Sequence, residues 1–311
     1  MNWNLFVTEF VAGITHGSLY ALIALGYSMV YGILKLLNFA HGDVFMIGAF
    51  IGYGVLTVSG GASGVSMPIA VLLALMFAAS MFGGGMLGVG IERFAYRRLR
   101  DAPRIAPLIT ALGVSFFLEN AVLLLLGADY RSYDTFSWNG GVLWSKGFTL
   151  PAGVHVALAQ IIVVVGAIVL MCALTYFVAR TQLGRAMRAV SFDRQAAEMM
   201  GIDVNRVISS TFFIGSALAG AAGVMVGLVF QRVYHFMGFV AGLKGFTAAV
   251  IGGIGSIPGA MLGGLVIGLA EAFSQGYVST RFYDLFVFGI LIVVLIVRPS
   301  GLLGKADIKK V

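Results

Sequence analysis

Residues 243–274 read LKGFTAAVIGGIGSIPGAMLGGLVIGLAEAFS. The stretch is apolar enough for the interior of a membrane, yet a GGIGSIPGA run interrupts it. Glycine permits tight backbone turns, and proline starts a helix far better than it continues one. The run therefore reads as a tip between two short helices, 243–256 and 259–274. Each would reach about 21–24 Å at 1.5 Å per residue, short of a hydrocarbon core about 30 Å thick. Broken helices at membrane depth need protein or a water-filled cavity around their polar backbone. They often line substrate paths. A packing corner between closely approaching helices is the alternative.

The rest of the chain has the composition of a lipid-embedded protein. Of 311 residues, 59% are hydrophobic and 11% are charged, where a soluble domain carries roughly 25% charged residues. The single cysteine, Cys172, lies in an apolar run, so neither a disulfide within the chain nor a cysteine metal cluster is implied. The N-terminal MNWNLFVTEFVAG lacks a basic segment and does not read as a cleaved signal peptide. Apolar stretches of spanning length fall near 10–32, 39–58, 67–91, 105–127, 155–179, 207–230 and 282–298. The expectation is an all-α polytopic membrane protein, one permease-like domain over 1–311. It has about seven full spans plus the half-helix pair at 243–274.

Lysine and arginine set the orientation, because short basic loops stay in the cytoplasm. With the N-terminus outside and 243–274 entering and returning, fifteen basic residues lie inside. They are Lys35, the clusters at 93–104 and 180–206, and four in the tail from Arg298 onward. Arg131, Lys146, Arg232, Lys244 and Arg281 lie outside. One unbroken span over 243–274 would move the C-terminus outside and lose that asymmetry.

Polar residues inside the apolar stretches are few: His16, Asn38, His41, Asp43, Glu119, Asn120 and Glu271. Ionisable groups in spans are functional candidates. Asn38, His41, Gly42 and Asp43 fall together in NFAHGD at the head of the second span. They could touch substrate or a proton. The plainer account has Asn38 or Asp43 bonding free backbone amides at the helix start. Glu271 sits close enough to a helix end to reach water. Gly252, Gly253, Gly255, Ser256 and Pro258 of the tip complete the candidate path.

Small residues recur every four positions at Gly215, Ala219, Gly223 and Gly227, and again at Gly84 and Gly88. Such faces bring membrane helices close, either within the chain or between two permeases. The outer loop 128–154 carries Trp138 and Trp144, residues suited to a membrane interface. The inside loop 180–206 mixes Arg185, Arg188, Asp193, Arg194 and Glu198 with apolar residues and ends at Gly201, a natural helix stop. It suits a short helix lying along the membrane and docking a partner, or a solvated basic loop that only fixes topology. A GxxxxGK[ST] phosphate loop, an HExxH, a CxxC and a Gly-x-Ser-x-Gly elbow are all missing from the sequence, so no cofactor, metal or catalytic residue is expected.

Four stretches together carry a resemblance. GSLYALIALGYSMVYGILKLLNFAHGDVFMIGAF, IERFAYRRLR, GRAMRAVSFDRQAAEMMGID and GFTAAVIGGIGSIPGAMLGGLVIGLAEAF are similar to the LivH-type permease of bacterial branched-chain amino-acid ABC transporters. The resemblance implies a multi-pass subunit of the bacterial inner membrane, paired with a second homologous permease. It further implies two cytoplasmic ATP-binding subunits and a periplasmic or extracellular amino-acid-binding protein. The loop 184–201 then corresponds to the segment that docks into an ATPase. Urea and short-amide permeases share much of this pattern. An ion-coupled secondary transporter is a separate class, and its acidic candidates Asp43, Glu119 and Glu271 lie on separate segments.

Overall fold

The computed structural model describes residues 3–59, 68–100, 102–103, 105–133, 137–138, 141–142, 147–149 and 153–304. Arg104, Trp144, Lys146 and the tail lysines lie outside them, as does the side chain of Trp138. Eleven α-helices dominate the described residues. They are α1 (Trp3–Leu34), α2 (His41–Val58), α3 (Ile69–Ile91), α4 (Ile105–Leu126), α5 (Leu158–Arg180), α6 (Gln182–Phe192), α7 (Arg194–Met199), α8 (Val204–Phe230), α9 (Met237–Gly252), α10 (Ile257–Tyr277) and α11 (Tyr283–Val297). Seven of these are long and apolar enough to cross a membrane: α1 to α5, α8 and α10.

Two helices form the centre. α1 is buried almost continuously from Leu19 to Val30, and α8 from Gly215 to Met225. Small residues let the neighbours reach them. A side chain on Gly264 or Gly268 of α10 would overlap the α1 backbone at Ala21 or Gly17. A side chain on Gly220 or Gly223 of α8 would overlap Ser80 of α3 or Phe45 of α2. The small-residue faces of α8 and of α3, where Gly84 and Gly88 meet Ser216, are therefore contacts inside the chain. α3, α4, α5 and α11 form the shell. Leu124 and Leu125 are 85% and 82% exposed and Ile296 is 76% exposed, which suits contact with lipid tails.

The interrupted stretch is a helix pair with unequal arms. α9 has 16 residues and α10 has 21, about 24 Å and 31 Å. The second arm is thus full length, whereas 282–298, expected as a full span, yields 15 residues in α11. The apolar run points to 243 as the start of the pair, but α9 begins at Met237. Lys244 is therefore a mid-helix residue and not part of an outer loop.

The tip lies at a helix end. The Gly255 amide reaches Ser28 Oγ near the end of α1 at 3.4 Å. A small cavity of about 90 Å³ there is bounded by Gly32, Val178, Met187, Arg188 and Ile257. The tip thus shares one end of the bundle with α6. The chain beyond α11 returns to the same place: Leu302 and Leu303 donate their amides to the Ile251 and Gly252 carbonyls at 2.8 and 2.9 Å. These bonds satisfy carbonyls that the end of α9 leaves free.

The α6 end also holds the α3–α4 junction. There the helix widens into a π turn over Glu92–Tyr96. Glu92, fully buried, pairs with Arg97 at 2.9 Å and with Arg100. Arg100 also reaches Asn205 at 2.6 Å. At the opposite end Arg131–Ser132 pairs antiparallel with Arg232–Val233. Tyr133 Oη donates to the Ala49 carbonyl at 2.6 Å. Burial holds the Tyr133 phenol well above its ordinary range, so it remains a donor.

Candidate translocation and coupling sites

Asn38, His41, Gly42 and Asp43 converge, but not as a helix cap. Ala40 occupies the cap position of α2 and no side chain bonds there. Asn38 Oδ1 instead accepts from Tyr96 Oη at 3.2 Å. The His41 ring lies edge-on to Tyr27, centroids 4.8 Å apart. Gly42 lets α9 approach, and a Cβ there would sit 2.9 Å from the Gly242 Cα. Asp43 is fully buried, next to Gly238 of α9. The expectation that Asn38 or Asp43 caps free amides is overturned: no side chain caps α2, the His41, Asp43 and Val44 amides bond the Asn38 and Ala40 carbonyls, and both side chains are buried.

The glycine tip is built from local rules. Gly253 and Gly255 have φ of +103° and +89°, a region side chains rarely enter. Ser256 caps α10, its Oγ accepting from the Gly259 amide at 3.2 Å, and Pro258 falls in the first helical turn, where a missing N–H costs nothing. Gly252 and Gly259 meet backbone to backbone across the pair. Of these residues, Gly255 touches the small cavity beside α6.

The loop 180–206 folds as two helices. Thr181 caps α6, Asp193 caps α7 and Asp203 caps α8, each accepting a backbone amide at 3.0 Å. Asp193 both ends α6 and starts α7. Met187, Val190 and Ala197 face the bundle, while Phe192, Met199 and Met200 are 90%, 82% and 82% exposed. Arg188 reaches back to the Val178 carbonyl. Arg194 and Glu198 pair along the surface at 3.5 Å. Arg185 is exposed, and Gly201 with φ +80° turns the chain toward α8.

A larger opening lies at the other end. A cavity of about 900 Å³ runs between α1, the end of α8, α9 and the 130–132 segment. Leu19, Ile23, Phe45, Val226, Met237 and Val240 give it apolar walls, and Lys244 and Glu271 line it as well. Lys244 Nζ lies 2.9 Å from Glu271 Oε1 and 3.0 Å from Asp284 Oδ1. Tyr20 Oη donates to Glu271 Oε2 at 2.7 Å. Glu271 is 4% exposed, so the expectation that it reaches water at a helix end is overturned. The α2 residues Asn38, His41, Gly42 and Asp43 do not line this cavity; Phe45, further along α2, does.

Comparison with known proteins places this architecture. The family described as "Branched-chain amino acid transport system / permease component" matches residues 10–295. The chain is 44% identical over 306 residues to the high-affinity branched-chain amino acid transport system permease protein BraD of Pseudomonas aeruginosa, covering 98% of each chain. It is 41% identical over 309 residues to the Escherichia coli permease protein LivH of the same description, again over 98% of each. The chain belongs to the branched-chain amino-acid permease family. A weaker likeness, 30% over 174 residues and 53% of this chain, is to the fructose import permease protein FrcC of Rhizobium meliloti.

As a member of that family it is a multi-pass inner-membrane permease. Glu271 is among the carboxyls the sequence offers, but its pairing with Lys244, 27 positions away, escapes a reading of the sequence. The signal that could have found the pair is a lysine inside an apolar run, which lipid tolerates only with a partner. A helix start expected at 243 disguises it as a loop residue.

Proposed function

We propose that this permease is the membrane subunit of an ATP-driven importer of branched-chain and other apolar amino acids. It forms the translocation path with a second homologous permease. Two cytoplasmic ATP-binding subunits drive the pair, and a periplasmic or extracellular binding protein delivers the substrate. The observation that carries this reading is the surface of α6 and α7. Phe192, Met199 and Met200 stand exposed there among charged residues, where a partner would cover them. The arginine clusters lie at that same end, which supports a cytoplasmic α6 end, an N-terminus outside and a C-terminus inside. A reporter fused after Val311 should read cytoplasmic, and a periplasmic signal would reverse the arrangement.

ATP-dependent uptake by the reconstituted complex tests the function, comparing leucine, isoleucine, valine, phenylalanine, alanine and urea. Leucine uptake that requires ATP and all subunits is the expected result. Urea uptake above that of every amino acid would point instead to a urea or short-amide permease. One observation favours a second reading. Asp43 of α2 and Glu119 of α4 are both buried, and an ion-coupled carrier would need such carboxyls. Uptake driven by an ion gradient without ATPase subunits would support that carrier and refute the ATP-driven one.

A further inference from the structure

We infer that Lys244 and Glu271 form a headgroup site for a free α-amino acid in the large cavity, Lys244 meeting its carboxylate and Glu271 its ammonium. The inference rests on the amino-acid permease reading above and assigns that function to particular atoms.

The pair is expensive for the fold. Two charges withdrawn from water stabilise a protein no better than apolar residues of similar volume would, and in a membrane such groups are tolerated where they face a cavity. Lys244 and Glu271 do so: each is 4% exposed, and both border the same opening of about 900 Å³.

Their bonding leaves capacity for a ligand. The Lys244 ammonium has three donors: one bonds Glu271, while Asp284 stands beside it as an ion-pair neighbour at 3.0 Å and the Tyr283 ring lies 4.5 Å away. Glu271 accepts from Tyr20, Lys244 and Gln275, and a carboxylate offers about four acceptor positions. Asp284, 46% exposed at its side chain, can hold the lysine while Glu271 turns to a second cation.

The ligand class follows from charge and shape. Every free α-amino acid presents a carboxylate and an ammonium side by side, opposite in sign like the pair. Exchanging one ion pair for two costs little net charge separation in a low-dielectric site. The remaining walls, among them Ile23, Phe45, Val226 and Val240, are apolar and receive an aliphatic side chain. Urea, short amides and sugars carry no charges to exchange with this pair.

The test uses the assembled permease–ATPase complex without its binding protein, so that the binding protein's own selectivity does not enter. Cys172, the only cysteine, is changed to Ser, and Val240→Cys places a thiol on the cavity wall. Labelling by a membrane-impermeant methanethiosulfonate is timed with added L-leucine, 4-methylvaleric acid, isoamylamine or urea. Leucine should slow labelling in a saturable way. The acid lacking the ammonium and the amine lacking the carboxylate should protect at least about tenfold less well, the worth of one charged hydrogen bond. Urea should not protect. The K244M/E271M double variant, which leaves neither partner of the pair orphaned, should lose the protection.

Equal protection by leucine and both single-charge analogues would overturn the site, as would protection that survives in K244M/E271M. If that variant does not assemble, the analogue series on the native pair decides. ATP-driven leucine import is measured in parallel after adding the binding protein. Import without protection overturns the site and leaves the permease reading standing; absence of both overturns both.

Discussion

Asp193 Oδ1 accepts the Ala196 amide at 3.0 Å and so closes one helix and opens the next on the exposed α6–α7 surface. The sequence offers this aspartate as a docking charge. Its first task in the structure is to cap. Asp193→Ala should cost about 1 kcal/mol of local stability, and Asp193→Asn, which keeps an acceptor, should restore most of it. Hydrogen exchange over 194–199 checks this. If Asn protects no better than Ala, the aspartate's charge matters and its cap does not.

Docking itself should depend on the uncovered apolar side chains. Phe192→Ser combined with Met199→Ser leaves every described bond of the caps in place. The variant should insert normally and purify with at least about tenfold less ATPase subunit, since central apolar anchors commonly carry about 2 kcal/mol or more. Undiminished co-purification would return α6 and α7 to a purely structural role.

The glycine tip makes a graded prediction. Gly255 has φ +89° but room for a methyl group, since a Cβ there would meet nothing closer than the Gly32 Cα at 3.7 Å. Gly255→Ala should therefore cost only backbone strain, about 1–2 kcal/mol. Gly253, at φ +103°, has the 303–304 backbone against it, so Gly253→Ala adds a collision and should be clearly worse. Thermal unfolding of the purified complex gives the order. Equal losses at the two positions would mean that the chain after α11 does not hold the tip.

The small-residue faces separate internal packing from subunit contact. Gly268→Leu should abolish the α1–α10 approach and reduce the amount of inserted protein, whereas Leu124→Ala on the exposed shell should be near neutral. A Gly268→Leu protein that is stable alone but fails to pair with a second permease would assign that face to the subunit interface instead.

Much of this protein was legible in one dimension. Apolar stretches and a glycine–proline break determined the class, the turn and the order of helices. Each is a local property: span length follows from about 20 apolar residues, and the φ values of Gly253 and Gly255 follow from their missing side chains. The caps at Thr181, Asp193 and Asp203 are equally local.

Arm lengths and partners were not. Whether α9 or α10 spans fully depends on where the chain after α10 turns back, and whether Gly215 and Gly223 meet another chain depends on which helices already cover them. Lys244 and Glu271 are the sharpest case. Alone, each is a charge near an expected loop or helix end; set on neighbouring helices with Tyr20 and Asp284, they become a charge pair at a cavity wall. Residue type determines that a buried ion must find a counter-ion. Only the packing of α1, α9, α10 and α11 determines which one, because charge pairing acts over a few ångströms in space and not along the sequence.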